Sequence, residues 1–224
     1  MLKAPVSNIR KRYIARLVCR CLILLWAVIL YFTNFASHDI LRGFDFFRKF
    51  SLLHLLWAIW MLDMLAQLVP AKSIALGSHK VFQCRFKPVL ERINKEALKR
   101  YIVTTTQAAY KVMVLWVLLI AGLGVLHHFQ ILSDAHLFLI SVLFYVCDLI
   151  CVLVWCPFRL IMKNKCCTTC RIFNWDHLMM FTPMLFVKGF FSISLILVST
   201  VVWLAWELCV LIYPERFWEN PTPR

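Results

Sequence analysis

The sequence predicts an all-α membrane protein with about five transmembrane helices, and three observations carry this prediction. Hydrophobic residues make up 62% of the 224 residues and charged residues only 16%, with a mean hydropathy of +0.77. Several apolar runs have the roughly 20 residues that a helix needs to cross the hydrocarbon core. These runs are continuous rather than alternating, which favours helices over a β-barrel. The chain is therefore predicted to be a single polytopic membrane domain over residues 1–224.

Each predicted span corresponds to one apolar run, bounded by basic or turn-forming residues. The first is preceded by basic residues but lacks a small-residue cleavage pattern, so it is predicted to be an uncleaved signal anchor. Two longer connections remain, a loop over 70–110 and a cysteine block over 157–189. The predicted spans are 17–36, 50–69, 111–129, 137–156 and 190–212.

The basic residues orient these spans. A net charge of +14 would suggest nucleic acid in a soluble protein, but here Lys and Arg cluster between apolar runs, so no nucleic-acid partner is predicted. Of the 25 Lys and Arg, 20 belong to the segments before span one, between spans two and three and between spans four and five, when Arg20 and Lys111 near the adjoining span ends are counted with them. The positive-inside rule then predicts a cytosolic N-terminus and an outer C-terminus.

Two segments outside the spans have their own apolar patterns. In the cytosolic loop, KPVLERINKEALKRYIV predicts an amphipathic helix in the headgroup plane, with its Lys and Arg against anionic lipid. A solvated extension of span three explains the same pattern equally well. Segment 172–187 is apolar but short and contains Pro183, so it is interpreted as re-entrant, interfacial or the kinked start of the last span. As a sixth span it would return the C-terminus to the cytosol.

The stretch KNKCCTTCRIFNWDHLMM concentrates chemically versatile side chains on the predicted cytosolic face. Cytosolic thiols stay reduced, so a C-x-x-C pair there indicates metal binding or thiol redox chemistry rather than a structural disulfide. For metal, the candidates are zinc or an iron–sulfur cluster, with Asp176 orienting the histidine. For redox, a membrane quinone is a plausible partner; palmitoylation or simple packing are the alternatives. The predicted ligands are Cys166, Cys167, Cys170, His177 and Cys156.

Three acidic residues fall inside predicted spans, where each costs about 2.5–3.5 kcal/mol at a helix centre. They are Asp63, Asp148 and Glu207. A helix–helix hydrogen bond is the preferred interpretation and proton transfer the alternative. If the three line a polar path, the protein is a transporter, and a homo-oligomer would supply the missing structural repeat. Cys147 and Cys151, which flank Asp148, are interpreted as packing residues.

Two further considerations bear on function. No Gly-rich phosphate loop, Ser/His/Asp set or H-E-x-x-H motif is present, so enzymatic activity stays open, and a non-catalytic scaffold that docks through residues 88–104 is a third hypothesis. The block CPFRLIMKNKCCTTCRIFNWDHLMMFTP resembles a signature of a group of small bacterial multi-pass membrane proteins, and SIALGSHKVFQCRFKP is more loosely similar to their cytosolic loop. The resemblance implies a bacterial inner membrane but no activity. It singles out Cys166, Cys167, Cys170, Arg171, Asn174, Trp175 and Asp176.

Overall fold

The fold is helical throughout the part of the chain that the computed structural model describes, which is residues 8–33, 41–48, 50–69, 95–163 and 170–217. The α-helices are α1 (Asn8–Phe32), α2 (Leu52–Ala66), α3 (Lys95–His128), α4 (Asp134–Leu153), α5 (Arg159–Met162), α6 (Asp176–Phe181) and α7 (Phe190–Ile212). Short 3-10 helices cover Asp45–Phe47, Arg171–Trp175, Thr182–Phe186 and Pro214–Arg216.

Four helices, α1, α3, α4 and α7, are long and apolar enough to cross a membrane. Helix α2 is apolar but has only 15 residues. The prediction of a helical multi-pass membrane protein agrees with this architecture. Outward-facing Leu, Ile and Val side chains on these helices are largely exposed, as Leu22, Leu118 and Leu197 are at 60–63%. Such positions fit a lipid-facing surface, because exposing an apolar side chain to hydrocarbon has none of the free-energy cost of exposing it to water.

The core lies between α1, α2, α4, α6 and α7. Helix α1 packs on α4, α2 packs on α7, and α6 lies between α4 and α7. Trp60 of α2 is fully buried, with its ring centroid 5.0 Å from that of Phe181 and 5.8 Å from that of Tyr145. Phe191 of α7 completes this aromatic centre. Large rigid rings fill the space where four helices meet, which fixes their relative positions.

Helix α3 is longer than the span predicted at 111–129. It begins at Lys95, so residues 95–110 of the predicted cytosolic loop are helical and continuous with the membrane helix. At 1.5 Å per residue its 34 residues reach about 51 Å, well beyond the hydrocarbon thickness of ~30 Å. Residues 88–94 of the predicted amphipathic helix lie outside the described residues.

The segment 170–189, which precedes α7, runs from one end of the helix bundle to the other. At its start, Arg171 bonds to Glu207 near the end of α7, and Tyr101 donates to the carbonyl of Phe217 close by; we call this the Arg171 end. At its finish, the backbone N–H of Gly43 donates to the carbonyl of Lys188 at 2.9 Å; we call this the Gly43 end. The segment is therefore a broken helix that extends through the bundle.

The hydrogen bond at the Gly43 end bears on the predicted topology. The block 157–189 was predicted to be cytosolic and the loop containing Gly43 to lie outside, yet Lys188 and Gly43 are hydrogen-bonded. Those two assignments cannot both hold in one bilayer. The physical reason is that 3-10 helix rises about 2.0 Å per residue against 1.5 Å for α-helix, so residues 171–186 reach up to roughly 29 Å. Irregular backbone is tolerated at that depth because protein surrounds it, with Met180, Phe181 and Met184 almost fully buried.

Gly189 closes this path, and its replacement tests the contact. A Cβ there would lie 2.1 Å from the carbonyl oxygen of Leu41, a backbone atom that cannot rotate away. Gly189→Ala should therefore destabilise the protein by about 1–3 kcal/mol or more, as overpacking does. The measurement is the thermal unfolding midpoint in detergent. Gly122→Ala is the matched control, since nothing lies within 4 Å of its Cβ position; equal shifts in both variants would contradict the contact.

Candidate functional site

A cavity lined by four cysteines lies against the last turns of α4. Its volume is about 230 Å³, and its wall is almost entirely apolar. The connection between α4 and α5 and the 3-10 helix at Arg171–Trp175 form the rest of the wall. We call it the thiol cavity. Its cysteines are Cys147, Cys151, Cys156 and Cys170.

Two of these thiols form a pair. Cys151 lies in the last turn of α4 and Cys156 follows the helix, where the chain turns back toward α5. A hydrogen bond from Cys151 lowers the pKa of the Cys156 thiol to about 6, and backbone N–H groups of Phe158 and Arg159 act in the same direction against the effect of burial. The thiolate is the nucleophilic form of cysteine. Cys156 is therefore the member of the pair with the lowered thiol pKa, and Cys151 is its hydrogen-bond donor.

An arginine within the apolar helix α1 binds two carboxylates from neighbouring helices beside the cavity. Arg20 of α1 is 5% exposed and donates to Asp148 of α4 at 2.7 Å and to Asp63 of α2 at 2.8 Å. It also donates to the carbonyl of Tyr145, and its guanidinium lies 3.8 Å from the centroid of the Tyr145 ring. We call Arg20, Asp63 and Asp148 the Arg20 cluster. Because one cation binds two carboxylates from different helices, it fastens α1, α2 and α4 together.

The cluster extends into the broken helix through His177. This side chain is 3% exposed, and its Nδ1 lies 2.7 Å from Asp176 Oδ1. Its Nε2 lies 3.8 Å from Asp63, which is an ion-pair distance but too long for a hydrogen bond. Gln67 Nε2 is 3.5 Å from Nδ1. Asp148 and Asp176 both line the thiol cavity, so buried polar groups reach its wall from two helices.

Glu207 belongs to a separate cluster at the Arg171 end. It accepts hydrogen bonds from the guanidinium of Arg171, at 2.6 Å from Nε, and from the indole of Trp175 at 3.1 Å. Arg171 also donates to Thr106 of α3 at 2.8 Å. Helices α3 and α7 and the broken helix meet here. The arrangement satisfies both charged groups, as burial requires.

The predicted metal ligands are only partly brought together. Cys156 and Cys170 both line the thiol cavity, whereas His177 is not part of its wall. Cys166 and Cys167 lie outside the described residues. Within the ranges that the structure describes, no three His, Cys, Asp or Glu side chains are placed to hold a metal ion. The predicted contact from Asp176 to His177 is present, although this histidine lies beside the Arg20 cluster and not at a metal site.

Sequence reasoning missed the role of Arg20 and of two cysteines. Arg20 was counted with the cytosolic basic residues, although it falls inside the predicted span 17–36. Its position within an apolar span could have indicated a buried arginine. Cys147 and Cys151 were interpreted as packing residues but line the cavity with Cys156. Their spacing of one helical turn places them on one face of α4. Comparison with protein-family models, with curated proteins and with solved structures found no match.

Proposed function

We propose that this protein performs reversible dithiol–disulfide chemistry at the cytosolic face of a bacterial inner membrane. The observation that carries the proposal is the hydrogen-bonded pair of Cys151 and Cys156 on the wall of an otherwise apolar cavity. Two hydrogen-bonded thiols can form an S–S bond when an acceptor takes the two electrons and two protons that they lose. Cys147 and Cys170, on the wall of the same cavity, are further thiols for exchange.

The topology that we propose has six membrane crossings instead of the five spans predicted from the sequence. With the broken helix as a sixth crossing, N-terminus and C-terminus both lie in the cytosol. Lys188 then joins Arg42, Arg48 and Lys49 on the sparse side, and 21 of the 25 Lys and Arg fall on the other. This count supports the orientation, because the positive-inside rule asks for such an asymmetry. The thiol cavity, near the end of α4 and the start of the broken helix, then lies toward the cytosol.

A metal centre is the second candidate, and one observation favours it. Cys156 and Cys170, two of the five predicted ligands, share one cavity. A zinc or iron–sulfur site usually needs four ligands, so Cys166 and Cys167 would have to complete it. Zinc, iron and copper content per chain, measured after anaerobic purification beside the Cys166/Cys167/Cys170→Ser variant, separates the candidates. Stoichiometric metal that is lost in the variant would favour the metal centre over the free dithiol.

The carboxylates give less support to the transporter hypothesis. Asp63 and Asp148 bind Arg20, whereas Glu207 binds Arg171 in a different cluster. In the described part of the chain the three acids therefore do not share one path. Paired in this way, they are better explained as bonds between helices.

Mild oxidation tests the dithiol directly. We expect the oxidant diamide to form a Cys151–Cys156 disulfide in the purified, reduced protein, because the two sulfurs already lie within hydrogen-bonding reach and the pair contains the favoured thiolate. Peptide mapping by mass spectrometry identifies the linked peptides. Alkylation of Cys156 should persist well below pH 8 and fall only as the pH drops through about 6, because the thiolate is then protonated.

The controls separate the pair from the other thiols. Cys156→Ser should abolish the disulfide, whereas Cys19→Ser, which removes an exposed thiol of α1, should leave it unchanged. A disulfide that instead joins other cysteines, or a Cys156 that reacts no faster than Cys19 at pH 7, would refute the proposed function.

A further inference from the structure

The wall of the thiol cavity has the chemistry of a site for a planar, uncharged ring. Aromatic side chains surround it, namely Trp116, Phe144, Phe158 and Phe173. Stacking on such rings favours a flat π-system. The cavity is about 230 Å³, below the ~300–1,000 Å³ of typical small-molecule pockets, so it fits a single substituted ring better than a dinucleotide. The two aspartates on the wall against one arginine also disfavour phosphate-bearing cofactors, because like charges repel.

The surface beside the cavity faces an apolar phase. Between the wall residues Val152 and Cys156 the chain exposes Val154 and Trp155 by 74% and 54%, and Leu160 just beyond them is 72% exposed. Large apolar side chains are exposed to this extent where lipid covers them. A ligand dissolved in the bilayer therefore reaches the cavity without crossing water.

Polar groups are few but lie where a reducible ring would need them. Asp148, Asp176 and Arg159 are the charged residues on the wall, and the thiol pair lies between Asp148 and Arg159 along the chain. Such groups orient the ring oxygens of a ligand and carry protons between sulfur and oxygen.

We propose that the thiol cavity binds the ring of a membrane quinone, which takes two electrons and two protons from Cys151 and Cys156. This step rests on the proposed dithiol function. In it both S–H bonds break and one S–S bond forms. The two carbonyl oxygens of the quinone each gain one hydrogen, giving the hydroquinone. No further oxidant or reductant is needed for one turnover.

Decylubiquinone is the probe for this proposal. All its ring carbons carry substituents, which limits addition of a thiol to the ring. The pre-reduced protein in detergent is mixed with the quinone anaerobically, and hydroquinone formation is followed by ultraviolet absorbance. We expect one hydroquinone per chain, together with a Cys151–Cys156 disulfide. Val152→Trp, which fills the cavity without altering a thiol, should slow this reaction by about tenfold or more, whereas diamide should still form the disulfide.

Leu143→Trp is the matched control, because it adds the same ring to an exposed position of α4 outside the cavity. It should reduce decylubiquinone as fast as the unmodified protein. If diamide forms the disulfide but decylubiquinone is not reduced, the quinone site is refuted and the dithiol function stands. If neither reagent forms the disulfide, both fail. Equal rates of quinone reduction in Val152→Trp and the unmodified protein would place the reaction elsewhere and overturn the proposal.

Discussion

Arg20→Met should destabilise the protein by about 3–5 kcal/mol, the cost of leaving the partners of a buried ion pair without their counter-ion. Asp63 and Asp148 both bind this guanidinium, and their side chains are only 23% and 11% exposed. Methionine replaces the length and apolar character of the arginine stem but none of its hydrogen bonds. The loss should appear as a lower midpoint in sodium dodecyl sulfate or thermal denaturation of the protein in mild detergent.

Two further variants distinguish the loss of a pair from the loss of a side chain. Arg12→Met removes an exposed arginine of the same helix and should change stability by no more than about 0.5 kcal/mol. Adding Asp63→Asn and Asp148→Asn to Arg20→Met removes the unpaired charges and should recover most of the stability, because neutral groups are cheaper to bury than ions. If the triple variant is less stable than Arg20→Met alone, the pairing does not explain the loss.

The sequence predicted that buried carboxylates exist but not what binds them. Asp63 and Asp148 were recognisable because a carboxyl inside an apolar run is rare. Arg20 was not recognisable as their partner. An arginine near the start of a span either extends its side chain to the interface, where it counts as a cytosolic charge, or turns it into the bundle. Which of the two it does depends on whether a neighbouring helix presents carboxylates at its depth. That is a property of packing between α1, α2 and α4, and no local pattern encodes it.

Glu207 and Arg171 show the same limit in a different form. The acid was identified from its apolar surroundings and the arginine from the cysteine block, but the two are 36 residues apart and were assigned to different layers of the membrane. Their contact follows from the direction of the broken helix. With Arg171 and Glu207 at the same end, the indole of Trp175 donates to Glu207, and the hydroxyl of Thr106 accepts from Arg171.

The limits of two apolar helices were more predictable. Helix α7 matches the predicted span 190–212, and α4 lies within three residues of the predicted 137–156, because continuous apolar runs bounded by turn residues are local signals. The broken helix failed the same test. Its apolar stretch is too short for a standard span and contains Pro183, so a hydropathy criterion rejects it. Packing against α3, α4 and α7 makes such a segment stable, and only the packed structure contains that information.

The location of the C-terminus decides between five spans and six crossings. Lys188 and Gly43 are at one end of the bundle, and Arg171, Glu207 and Phe217 are at the other. Helix α7 therefore returns the chain to the end at which Tyr101 and the start of α3 lie. We expect green fluorescent protein fused after Arg224 to fluoresce, and alkaline phosphatase fused there to be inactive, because both report a cytosolic location.

Fusions at two internal positions make this test specific. After Arg48, alkaline phosphatase should be active under either topology, which establishes that the reporter works in this protein. After Lys188 the two topologies differ: six crossings predict an active phosphatase, whereas the predicted cytosolic block 157–189 requires an inactive one. An active phosphatase after Arg224 combined with an inactive one after Lys188 would exclude the sixth crossing. It would also require the backbone bond between Gly43 and Lys188 to be absent in the membrane, since no hydrogen bond can join residues on opposite sides of a bilayer.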